Sequence, residues 1–196
     1  MADLPQWPKE LVPKSMSWGL EHNTKMFESA FNRASQTRAY PGARWVCTIS
    51  FENMFRDTER RLTTFVHALN GRAGRFLLRD VTRPAPVSRG ESVVDGDGQT
   101  GGILNTRGWL PDTKVLAAGD YITVQDEFKE VLEDVWSDAG GQATLRIAPW
   151  LRWSPPSGAE VNHTAPYAVM RLDDDLTELQ RKPLVTSVSI SCTEAI

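Results

Sequence analysis

The chain has 196 residues, of which 40% are hydrophobic and 24% charged, enough for one large or two small globular domains with a real core. Its formal net charge of −3 is unevenly placed, with 12 Lys/Arg against 8 Asp/Glu over residues 1–80 and 7 against 12 over residues 81–164. The arginines of the first segment form no concentrated basic patch of the nucleic-acid-binding kind, and no run approaches the roughly 20 apolar residues of a membrane-spanning helix.

The start, "MADLPQWPKELVPK", has prolines and charges but no apolar stretch of the secretory type. It predicts synthesis and function without export by the general secretory route. Residues 23–42, "NTKMFESAFNRASQTRAYPG", are polar, weakly alternating and arginine-containing. They read equally as an exposed hairpin or as an arm reaching a neighbouring molecule, with Arg33, Arg38 and Tyr40 as candidate interface residues. In "ARWVCTISF" (43–51), Trp45, Cys47, Ile49 and Phe51 alternate with Val46, Thr48 and Ser50, the period-two pattern of a half-buried strand.

"FRDTERRLTTFVHALNG" (55–71) is the one good helix, with Leu62, Phe65, Val66 and Leu69 at helical spacing and Asp57 or Thr58 as its predicted cap. Gly71 is predicted to end it in the left-handed position, and Gly74 to permit a sharp return into the strand "RFLLRD". Residues 81–115 are dense in Pro, Gly and Asp and read as a connection or turn-rich start to a second unit.

A three-strand meander follows: "GDYITV" (119–124), "KEVLEDVW" (129–136) and "QATLRIAP" (142–149). Gly119 and Asp120 make a tight turn into its first strand, and Pro149 ends its third. "APYAVMRL" (165–172) reads as a return strand. "KPLVTSVSISCT" (182–193) alternates Leu184, Val188, Ile190 and Cys192 against Ser187, Ser189 and Ser191. The two cysteines, Cys47 and Cys192, are too few for a disulfide framework and are predicted to be buried free thiols.

These elements predict a mainly β (α+β) chain. A β-sandwich-like host domain with one packed helix, residues 1–82 and 165–196, is interrupted by a small antiparallel β domain at 83–164. No chemistry-bearing constellation emerges. His22, His67 and His163 lie in unrelated contexts, with no metal-ligand spacing, nucleophile elbow or phosphate loop. "DGDGQTGG" (95–102) lacks the acidic register of a calcium loop, and "DDD" (173–175) reads as a solvated turn or helix start. The expectation is no cofactor, no metal and no enzymatic activity. Of seven tryptophans, Trp45 and Trp136 are predicted to be core. Trp109, Trp150 and Trp153 sit in or beside loops as candidate interface or satellite-core residues.

The ordered motifs "ARW", "ALNGRAGRFLLRD", "GQTGGILNTRGW", "LAAGDYITV", "VLEDVWSDAGGQATLRIAPWLR" and "PYAVMRLDDD" resemble those of the small distal tail and baseplate proteins of long, non-contractile-tailed bacteriophages and prophages. The resemblance covers roughly residues 43–175. It implies a non-enzymatic virion protein of the tail tip, assembled in the bacterial cytoplasm. It also implies a homo-oligomeric ring, typically a hexamer, joining the tail tube protein to the baseplate hub, without a membrane or specific nucleic-acid partner. The alternatives are a carbohydrate- or nucleic-acid-binding β module, or a cell-wall hydrolase using the carboxylates at 173–175.

Overall fold

The computed structural model describes residues 4–83 and 87–195. In chain order its strands are β1 (Ser15–Glu21), β2 (Thr24–Glu28), β3 (Ser35–Ala39) and β4 (Arg44–Met54). Helix α1 (Arg56–Ala68) follows, then β5 (Phe76–Leu78), β6 (Gly90–Val94), β7 (Gly101–Trp109), β8 (Lys114–Leu116) and β9 (Tyr121–Val124). The remainder are β10 (Glu127–Val131), β11 (Val135–Trp136), β12 (Gln142–Leu151), β13 (Val161–Asn162), β14 (Ala168–Leu172), β15 (Gln180–Arg181) and β16 (Thr186–Glu194). The chain is mainly β, and α1 is the only α-helix among the described residues.

The first sheet has the order β1-β4-β16-β14-β5, with β15 paired to β16. Its central pair joins the two strongest alternating runs in the sequence, with Ile49 opposite Ile190 and Cys47 opposite Cys192. Both thiols are free and buried, and the Cys192 thiol donates to the Cys47 carbonyl at 3.3 Å. The inner face, Trp45, Ile49, Phe51, Ile190 and Met170, is covered from three directions. Helix α1 supplies Leu62 and Val66 and its C-cap Leu69, the N-terminal segment Trp7 and Leu11, and the β9–β10 hairpin Tyr121 and Phe128. Each such side chain contributes about 1.5–3 kcal/mol by leaving water.

The second sheet, β13-β9-β10-β12-β7-β6, encloses its own core of Val94, Leu104, Ile122, Leu145 and Ile147. The β9–β10 hairpin belongs to both cores. Its two-residue turn places Gln125 and Asp126 at positive φ, 47° and 64°, as a primed hairpin turn requires.

Several expectations are corrected. Helix α1 starts from Phe55 with no side-chain cap, and Asp57 and Glu59 lie in its first turn, where the helix dipole favours them. The left-handed residue after the helix is Asn70 at φ 53°, with Gly71 next at φ 64°. Gly74 has an ordinary extended backbone, and its smallness serves a close approach, since a Cβ there would overlap the Leu69 carbonyl.

Residues 90–109, read as turn-rich, form two paired strands. Their glycines mark contact and not looseness, because a Cβ on Gly90 or Gly108 would collide with the facing backbone at the β6–β7 irregularity. "KEVLEDVW" is two strands. After Val131 the chain turns, Asp134 accepts the Ala118 amide at 3.0 Å, and Val135 pairs with Leu116 in a separate ribbon.

Pro149 does not end β12. It sits inside it, at the register shift between Arg146 and Leu151, where no ladder bond needs its missing N–H. Leu184 lies before β16 and is exposed, because the pairing of that strand starts only at Thr186.

Candidate interaction surfaces

Strands β2 and β3 form a free-standing hairpin, paired from Thr24 with Ala39 to Glu28 with Ser35, and all ten strand residues are exposed. Its tip is closed by the Ser29 amide donating to Ala34 O and the Arg33 amide donating to Ser29 O, both at 2.9 Å. Arg33 takes a left-handed backbone there, φ 55°. At its base the Tyr40 amide donates to Asn23 O at 2.7 Å. Met26, Phe27 and Phe31 stand in water, Phe31 fully (101% exposed). The Arg38 guanidinium lies 5.4 Å from the Tyr40 ring centre. Arg33, Arg38 and Tyr40 are thus gathered on one projecting arm.

The tryptophans divide differently. Trp109 is buried against His163, ring centres 4.8 Å apart, and its indole N–H donates to Thr106 Oγ1 at 2.7 Å. It is core, the second of its two readings, and not an interface residue, because it closes β7 instead of lying beyond it. Trp136, read as core, is exposed on the two-residue strand β11, which has nothing packed on that side. Trp150 and Trp153 are exposed.

Across the outer face of the second sheet, Ile103 and Arg146 are paired, and the Leu132 amide bonds Arg146 O. Trp150 lies over Gly102, where a Cβ would come within 3.0 Å of its ring. Trp136 borders a shallow depression of about 440 Å³ with Asn105, Gln142 and Thr144.

The outer face of the first sheet is different again. Ser15, Ser17, Thr48, Ser50, Ser189 and Ser191 make it flat and hydroxylated. At the β4 C-terminal end lies a groove of about 740 Å³ bounded by Ser50, Ser189, Glu52, Asp174, Asp175 and Glu178. Its rim is fixed by the helix-to-strand corner, because Asp175 Oδ1 accepts the Arg72 amide at 2.9 Å directly after Gly71. Asp173 accepts the Thr193 hydroxyl at 2.5 Å. The triple aspartate is therefore a turn with two structural ties.

Between the sheets lies a buried ionic joint with no signal in the sequence pattern. Lys129, with a fully buried side chain, lies 2.6 Å from Glu127 and donates to Trp150 O at 2.9 Å. Burial pushes the Lys129 ammonium below the usual lysine range against the pull of Glu127. Glu127 also accepts the backbone amides of Arg152 and Trp153 at 3.1 and 3.0 Å. Arg152 grips Glu194 with both terminal nitrogens, at 2.9 and 2.6 Å, and donates to Ala43 O at 2.8 Å. Burial opposes the Arg152 charge, but the Glu194 carboxylate outweighs it and raises the pKa. The sequence hid this joint because Glu127, Phe128 and Lys129 are all buried in succession, so the strand shows no alternation.

Gly119 (φ 88°) and Asp120 make the expected tight turn, with Asp120 Oδ2 accepting the Ala117 amide at 2.7 Å. His163 is buried. Its Nε2 accepts the Arg89 amide at 3.2 Å, and burial lowers its pKa. Among the described residues no three His, Cys, Asp or Glu side chains are placed to hold a metal ion. In the comparisons with known proteins, no family model and no curated protein matches the chain.

Proposed function

We propose that this chain is a non-enzymatic structural protein of a phage tail tip, whose copies associate into a ring joining the tail tube to the baseplate hub. The observation that carries the reading is the β2–β3 arm, whose ten strand residues and the side chains of Phe27 and Phe31 are exposed among the described residues. An isolated two-stranded hairpin is marginally stable in water, so an arm of this kind gains order by lying on another surface. The buried Arg152–Glu194 joint fits the same role, since a ring subunit must hold its two sheets in fixed orientation. The resemblance in motif order supplies the tail-tip context, the six-fold expectation and the assembly in the host cytoplasm.

Deleting residues 30–41 tests it. The reading expects a folded monomer, and a ring surviving the deletion would exclude the arm from assembly. The second reading, a carbohydrate-binding module, is favoured by exposed Trp136 beside Asn105, Gln142 and Thr144, with Trp150 exposed over Gly102. Quenching of tryptophan fluorescence by oligosaccharides would support it, and an unchanged spectrum would remove it.

A further inference from the structure

We infer that the β2–β3 arm of one copy docks into the groove at the β4–β16 end of the next copy's first sheet. This deepens the ring reading and rests on it.

The two surfaces are complementary in charge. The arm carries Lys25, Arg33 and Arg38 against the single acid Glu28. The groove is bounded by Glu52, Asp174, Asp175 and Glu178, with no basic side chain among the described residues of its lining. Glu52 is paired with Lys14, and Asp175 is held by the Arg72 amide. Asp174 and Glu178 are exposed and face the groove.

They are complementary in shape as well. The floor of the groove includes the short side chains of Ser50, Ser187 and Ser189, over which a two-stranded ribbon can approach the sheet backbone between the longer Glu52 and Gln180. Leu176 stands exposed on the rim, an apolar partner for Phe31 or Phe27.

Topology makes the contact intermolecular. The arm leaves the sheet where Glu21 pairs with Arg44, and the groove lies beyond Ser50, at the other end of β4. From Arg44 to Glu52 is about 26 Å of extended strand. The arm has five paired residues per strand and a short turn, a reach of about 20 Å, so laid back along β4 its tip would stop at the near wall, Ser50, and not seat in its own groove. Arm at one end and groove at the other make a heterologous contact, the kind that closes into a ring when the rotation between copies allows.

The test is charge reversal read by sedimentation velocity. Arg33→Glu with Arg38→Glu reverses the arm, and Asp174→Lys with Glu178→Lys reverses the groove. All four positions are exposed, so folding is retained, and circular dichroism and a thermal melt verify it. Each reversed chain alone is expected to self-associate at least 100-fold more weakly than the unaltered chain, because like charges then face each other. Mixing the two restores assembly, since every arm again meets a groove of opposite charge. If the unaltered chain assembles and the reversals leave its association unchanged, this docking is overturned while the ring reading stands. If the reversals disrupt assembly but the mixture fails to restore it, the docking is also overturned. An unaltered chain that stays monomeric up to millimolar concentration overturns both.

Discussion

Replacing Arg152 by Met would test the joint between the two sheets. The change removes three hydrogen bonds, two to Glu194 at 2.9 and 2.6 Å and one to Ala43 O at 2.8 Å. Among the described residues it also leaves the Glu194 carboxylate, 2% exposed, with only the Trp45 amide donating to it at 3.1 Å. Breaking a buried pair from one side costs about 3–5 kcal/mol, because an uncompensated charge stays behind. The lower end applies here. Arg152 is 14% exposed, its Nε has no partner among the described residues, and the Trp45 donor remains.

A loss of about 3 kcal/mol corresponds to a fall of roughly 1–1.5 M in the urea midpoint for a chain of this size. Adding Glu194→Gln removes the stranded charge and keeps an acceptor for Trp45. The double variant is expected within about 1.5 kcal/mol of the unaltered protein. An Arg152→Met midpoint displaced by less than the equivalent of about 0.5 kcal/mol would refute the reasoning, as would a double variant less stable than the single.

Gly74→Ala should cost at least about 2 kcal/mol in denaturant unfolding, because its Cβ overlaps the Leu69 carbonyl; a neutral substitution would show that the corner relaxes freely. Trp109→Ala should lose about 3–5 kcal/mol and Trp136→Ala less than about 0.5 kcal/mol, given one buried and one exposed ring. Equal melting temperatures for the two would contradict that division. Burial disfavours the charged form of His163, so its folded pKa lies below the unfolded value. The stability linked to it is present above about pH 6.5 and is lost as pH falls from there through the folded pKa. His163→Gln should flatten that part of the pH–stability profile, and an unchanged slope would assign it to other groups.

Much of the first sheet was legible because its strands are covered on one face only. Trp45, Cys47, Ile49 and Phe51 point inward and the serines outward, so period two shows through. The second sheet was harder to read. The β9–β10 hairpin is shared by two cores, and Tyr121 to Val124 are all buried, which erases alternation. Glycines at 90 and 108 and a proline at 149 looked like punctuation, yet they serve close backbone approach and a ladder gap inside strands.

The arm was visible as a polar hairpin, although nothing in its composition told whether it lies on the surface or projects. Trp109 and Trp136 exchanged roles because a tryptophan's burial depends on what packs beside its strand end. The ionic joint was invisible, since it unites Glu127 and Lys129 with Arg152 and Glu194 across separate strands.

The most direct measurement of the central claim is the solution mass of the purified chain by light scattering across a concentration series. The ring reading predicts a stable species near six chains of 21.9 kDa. A mass of one chain at every concentration would contradict it.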